Sequence, residues 1–317
     1  MTSFLLPLQF STLDGLEKRQ IYFIEESVKL ASAHKAKLII SIECEELQRV
    51  KVMDSVWEKV QAFLGNVYVV QLIECYKRDD PLFDCNVVFQ DVCGYKVYLE
   101  SYITKVCVVE TELRIDQWNK ERKENGLDAL EIISLSDSKD DKHDHLIENS
   151  GPIEPRTFQR VAVGGTFDHI HAGHKILLTM TALLAEESMV VGVTDDCMLT
   201  KKKHKELIIS TAQRCKNVEN YLLNIKRNLK YHIVPITDPF GPTVTDPTID
   251  ALVVSKETLK GGDLVNSERD MRGYPPLELR IIDVISSEKS SLQGKDMDAL
   301  KISSSWIREY IAKNKLQ

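Results

Sequence analysis

The sequence predicts an α/β protein of two domains, the second built on a parallel sheet with helices on both faces. Three observations carry this. Short, near-continuous apolar strands alternate with helix-period segments through the C-terminal half, as expected for strands buried on both faces. A polar stretch, SDSKDDKHDHLIENSGPIEPRTF, reads as a linker over 136–158 and leaves domains at 1–135 and 159–317. The 317 residues suffice for two ordinary domains, and 43% hydrophobic with 28% charged residues is the balance of a soluble globular chain.

In the first domain MTSFLLPLQF reads as an opening strand, and LEKRQIYFIEESVKLASAH (16–34) as a helix with apolar Ile21, Ile24, Val28 and Leu30. AKLIISI (36–42), GNVYVVQLI (65–73), CNVVFQDV (85–92) and KVCVVET (106–112) are rich in β-formers and read as strands. Asp79 and Asp80 precede Pro81 in a loop. No catalytic constellation stands out here, and the domain's role stays open. In the second domain the expected order is strand VAVGG (161–165), helix 172–186, strand SMVVGVT (188–194) and helix 209–229. Strands YHIVPI (231–236), DALVVS (250–255) and ELRIIDVI (278–285) follow, then a helix from Ser304 to about Ala312. Ligands of such sheets bind beyond the carboxyl ends of the strands, so the residues just after each strand matter most.

Several function classes are disfavoured. A net charge of -7 gives no general nucleic-acid surface, and no run of 18 apolar residues suggests a membrane span. The N-terminus lacks the basic region and small-residue cleavage pattern of a signal peptide. The seven cysteines are scattered, odd in number and form no CxxC pair, so zinc and disulfide frameworks are not expected. Buried thiols suit a reducing compartment, cytoplasmic or nuclear. Neither GxxxxGK[ST] nor GxSxG occurs. His143 and His145 lie among Asp140, Asp141 and Asp144, which reads as solvated linker rather than a metal site.

The chemistry concentrates in VAVGGTFDHIHAGH (161–174). Gly164 and Gly165 let backbone and ligand approach closely, and Thr166 and Phe167 follow at the strand's end. Ala172-Gly173 opens a helix whose free amides favour an anion. His171 and His174 then sit together over those amides, as donors to a phosphate. A zinc site needs further ligands that are missing nearby, and plain helix capping explains one histidine, not the run. His169 receives no role.

Downstream, TDDCMLTKKKHKEL (194–207) places Lys201, Lys202 and Lys203 at the same edge, with Lys202 favoured to reach a phosphate. TDPFGPTVTDP (237–247) suits a rigid loop or a substrate wall. In VVSKETLKGGDLVNSERDMR (253–272), Ser255, Lys256, Lys260, Asn266, Arg269 and Arg272 are candidate contacts to phosphate or base, and Gly261-Gly262 reads as a turn or close approach. KISSSWIREYI (301–311) puts Ser303, Ser304 and Ser305 at a helix start with Arg308 one turn on, a polyphosphate cradle. No general base accompanies the histidines. Such a donor-lined pocket suits phosphoryl or nucleotidyl transfer, where the nucleophile is already an anion.

These motifs are recognisable. HAGH (171–174) resembles the HxGH signature of the nucleotidylyltransferases, and ISSSWIR (302–308) resembles their ISSTxxR-type second motif. Together with KKK, DPFGP and LVVSKET, they look most like the eukaryotic phosphopantetheine adenylyltransferase family in its monofunctional form. The resemblance implies a Rossmann-like nucleotidylyltransferase domain preceded by a second α/β domain. It implies transfer of AMP from ATP to 4'-phosphopantetheine in coenzyme A biosynthesis, with Mg²⁺ carried on the ATP phosphates and no metal ligand from the protein. It implies that Thr166 orients the attacking phosphate, His174 stabilises charge on the α-phosphate, and His171 contacts ATP. Lys202 matches the phosphate lysine, while Ser303, Ser304 and Arg308 match the residues that take the β- and γ-phosphates. Where bacterial relatives have an arginine after the fourth strand this chain has Ser255, and Arg269 or Arg272 is the expected replacement. A separate dephospho-CoA kinase or another enzyme of that pathway is the partner it suggests. A cytidylyltransferase acting on a small phosphorylated alcohol, and a non-catalytic scaffold, are the rival readings.

Overall fold

Alternating strands and helices wind the chain into two parallel five-stranded sheets, seen in a computed structural model that describes residues 2–108, 113–136, 154–283 and 302–315. The chain divides into two compact units, Met1–Lys51 with Glu58–Gly151, and Val52–Trp57 with Pro152–Gln317. His143, His145 and most of the linker stretch lie outside the described residues, as do the ends of the 106–112 and 278–285 segments.

The first unit carries β1 (Ser3–Phe10), α1 (Lys18–Ala33), β2 (Lys37–Cys44), α2 (Glu45–Arg49), α3 (Trp57–Lys77), β3 (Cys85–Phe89), β4 (Ile103–Val108), α4 (Leu113–Glu124) and β5 (Glu131–Ser134). Its sheet order is β3-β2-β1-β4-β5. One expectation fails: GNVYVVQLI is not a strand but the middle of α3. Val60, Leu64, Val67, Tyr68, Gln71 and Cys75 are buried at helical spacing along it. A buried helical stripe outweighs the strand preference of a β-branched run.

The second unit carries β6 (Phe158–Gly165), α5 (Ala172–Leu184), β7 (Ala185–Thr194), α6 (Thr211–Ile225), β8 (Lys230–Ile236), β9 (Ala251–Ser255), α7 (Leu259–Met271), β10 (Glu278–Ile282) and α8 (Ser304–Lys315). Its order is β10-β9-β6-β7-β8, so the direction of winding reverses between β6 and β9. Helix α7 separates the two alternatives read for Gly261 and Gly262: both lie inside it and mark no turn. Gly262 is a packing position, since a Cβ there would meet both Leu279 methyls at 3.2 Å. One core layer of this unit clusters Ala162, Val190, Leu252, Val254, Val265 and Leu277. The inner strands β7 and β9 are nearly continuously buried, while the edge strands β8 and β10 are half-exposed, and the carboxyl ends of the inner strands are left for polar work.

Candidate active site

The crevice opens where the winding reverses, at the carboxyl ends of β6 and β9. It is a cleft of ≈ 620 Å³ lined by Gly164, Gly165, Thr166, Phe167, His171 and His174 from the first motif, Lys202, Ser255, and Ser303, Ser304, Ser305 and Arg308 from the second. Two motifs about 130 residues apart in sequence thus meet in one place.

Backbone strain concentrates at the first motif. Phe167 and His169 have φ of 49° and 47°, in the left-handed region that non-glycine residues rarely occupy. Phe167 is fully buried, with its ring centroid 5.3 Å from that of His174. Gly165 makes room for it: a Cβ there would lie 2.9 Å from Phe167 Cζ. His171 is the N-cap of α5, and its ring centroid is 4.0 Å from that of His174, which stands in the first turn. Burial holds both histidines neutral: it pulls His171 well below its ordinary value, where a proton on His174 would oppose a second one, and His174 down to about 4. Neutral rings still offer N–H donors without adding charge repulsion. His169 has a structural task, its Nε2 donating to the Leu207 carbonyl at 3.0 Å and so bracing the lysine loop.

Of Lys201, Lys202 and Lys203, Lys202 alone lines the cleft. The expectation for Lys201 and Lys203 is corrected. Both are exposed and outside the lining, and Lys203 turns to Glu309 on α8 at 3.4 Å. Ser255 is at the cleft, yet its backbone and side chain also cap the following turn with Thr258, at 3.1 Å each. Lys256 lines the cleft too, paired with Asp283 at 2.5 Å.

Arg269 is not a substrate contact. It is fully buried, and its guanidinium donates to the carbonyls of Pro275 (2.7 Å), Thr243 (2.6 Å) and Asp246 (3.0 Å). Arg272 also turns away, donating to Val244 O at 2.8 Å. Asn266 exchanges two bonds with the Leu277 backbone. All three pin loops to α7. Their spacing of three along α7 and its C-cap puts them on one side of the helix, toward the segments they hold.

Two residues without a role in the sequence reading organise the site. Arg214 of α6 is fully buried and donates to the carbonyls of Thr166 and Thr194 at 2.7 Å each, Ile209 at 2.9 Å, and Asp196 Oδ1 at 2.6 Å. It fastens the ends of β6 and β7 to each other. Asp168, also fully buried, takes Nη1 of Arg308 at 2.6 Å, while its backbone carbonyl accepts from Ser304 Oγ at 2.7 Å. Among the described residues no group of histidines, cysteines and carboxylates is arranged to hold a metal ion. None of the described helices is long and apolar enough to cross a membrane.

Beside the cleft, sharing Gly164, Gly165, Leu177, Ser255 and Thr258 with it, lies an apolar pocket of ≈ 280 Å³. The DPFGP loop forms one wall through Pro239, Phe240 and Pro242, with Ile236, Leu252 and Val265 opposite.

This fold and site define a nucleotidylyltransferase-type domain, and the cytidylyltransferase-like family matches residues 162–310. A phosphopantetheine adenylyltransferase of Saccharomyces cerevisiae is 33% identical over 228 residues, which cover 71% of this chain and 70% of that one. The chain belongs to the phosphopantetheine adenylyltransferase family of nucleotidylyltransferases. An archaeal member, from Methanothermobacter thermautotrophicus, is 37% identical over 48% of this chain and 85% of its own. An uncharacterized protein of Schizosaccharomyces pombe is 47% identical over 152 residues, and the chain spans about half of that relative, 48%.

Proposed function

We propose that the protein transfers AMP from ATP to 4'-phosphopantetheine, releasing pyrophosphate and giving dephospho-CoA. The observation that carries this is the meeting of Thr166, His171, His174, Lys202 and the three serines in one cleft beside an apolar pocket. An acceptor phosphate sits at Thr166, with its uncharged arm in the apolar pocket, and Lys202 serves both it and the ATP phosphates. The ATP phosphates, entering with Mg²⁺ as the substrate complex, lie over the start of α5 and against Ser303–Ser305 at the start of α8, where free amides attract anions.

An oxygen of the acceptor phosphate attacks the α-phosphorus, and the bond from that phosphorus to the bridging oxygen breaks as pyrophosphate leaves. The nucleophile is already ionised, so no base is needed. Catalysis is alignment plus donation of N–H groups from His171 and His174 to oxygens that gain charge. The family and the adenylyltransferase names of its yeast and archaeal members favour ATP over CTP. The test is single-turnover pyrophosphate release from ATP with 4'-phosphopantetheine, against the same assay without acceptor. Acceptor-independent release, or none at all, overturns the proposal.

A further inference from the structure

We propose that Arg308 and Asp168 form a strut that positions Lys202, so that Arg308 is a positioning residue and not a phosphate ligand. This rests on reading the cleft as a polyphosphate site. The guanidinium is already committed: Nη1 to Asp168 Oδ2 at 2.6 Å, Nε to the Lys203 carbonyl at 3.0 Å, and Nη2 to Ser305 Oγ at 3.1 Å. One planar fork therefore joins three pieces of chain, the loop after β6, the lysine loop after β7, and α8. Ser304 adds a fourth tie through its bond to the Asp168 carbonyl.

The pair is dry, with side-chain exposures of 3% for Arg308 and 0% for Asp168. Desolvating two charges offsets most of their attraction, so a buried pair is a poor stability device and a good device for fixing geometry. The charge balance points the same way. Asp168 cancels Arg308, and Asp283 cancels Lys256. Among the described residues lining the cleft, Lys202 is the lysine or arginine with no ion-pair partner. It stands in the loop that Arg308 grips, one residue before Lys203, and its own amide bonds to Leu199 O at 3.0 Å. The net positive field on an anion thus comes from Lys202, and the strut decides where that field points.

The test is a cycle of variants of the full chain, read by calorimetric binding of inorganic tripolyphosphate, with thermal melts to confirm folding. The strut predicts that R308Q, D168N and K202A each weaken binding by about tenfold, as for loss of one charge-assisted contact. It also predicts that K202A costs little more once R308Q or D168N is present. R308K, which keeps the charge and loses the fork, should behave like R308Q. If the losses multiply, if R308K binds like the wild type, or if D168N binds as tightly as the wild type or tighter, Arg308 is a direct ligand and the strut is wrong. Should R308Q fail to fold, the D168N and K202A cycle decides alone. A wild type that binds no tripolyphosphate also overturns the strut. A wild type that binds it but does not adenylylate 4'-phosphopantetheine defeats the proposed function and leaves the strut standing.

Discussion

At the scale of the residue, the proposed transfer rests on two buried histidines whose ring centroids lie 4.0 Å apart. His174→Ala should lower kcat/KM by at least about 10²-fold, as for removal of one transition-state donor; a loss under about threefold in steady-state assays removes its assigned role. Their depressed pKa values also have a stability consequence. The unfolded chain protonates these histidines near the ordinary 6.5, whereas folded His174 does so only at about 4. The unfolded state therefore binds more protons in that window, so stability is full above 6.5 and falls as pH drops toward 4. Thermal melts should show a steeper loss from pH 7 to pH 4.5 for the wild type than for the H171Q/H174Q double variant; equal slopes would refute buried neutral rings. Thr166, His171 and His174 were legible in the sequence because their surroundings are local, a strand end and a helix start within 14 residues. Asp168 and Arg214 were not, nor was the bond from Arg308 to Asp168, since these partners lie tens to more than a hundred residues apart and only the folded chain brings them together.

At the scale of the element, errors came from segments whose local pattern admits two structures. GNVYVVQLI has the composition of a strand and the burial of a helix. The stretch after β9, read for contacts to phosphate or base with a turn or close approach at Gly261-Gly262, is α7, which turns Arg269 into the core. Arg269→Met should therefore act on stability. It leaves three carbonyls without a donor, at about 1–3 kcal/mol for each one that stays dry. Denaturant melts should show the loss, while the KM for ATP stays within about twofold; a raised KM at unchanged stability would restore Arg269 to the cleft. Gly165→Ala is the complementary case. The new methyl would press on Phe167 and through it on His174, so kcat should fall further than stability does.

At the scale of the whole molecule, the two sheets share one strand order, and the proposed phosphate cradle lies at the second. In the second unit α5 begins at His171-Ala172-Gly173-His174, with donors and little bulk. In the first unit α1 begins at Glu17, whose carboxylate forms a capping box with Gln20, so that an anionic side chain already stands at the helix start. Topology locates a crevice, and the residues at its edge decide whether an anion enters. Segment Val52–Trp57 belongs to the second unit although it lies between β2 and α3 in the chain, because Asp54 pairs with both Nε and Nη2 of Arg280, at 2.8 and 2.9 Å. Asp54→Ala should cost that unit about 3 kcal/mol by stranding a largely buried guanidinium, which urea unfolding would register; a change under about 0.5 kcal/mol would mean the pair is solvent-screened. The central claim, adenylyl transfer to a phosphorylated pantetheine arm, is tested most directly by pyrophosphate release with ATP or CTP against a panel of acceptor phosphates. Release that requires both ATP and 4'-phosphopantetheine is the predicted result, and release with CTP or with a different acceptor in their place would contradict it.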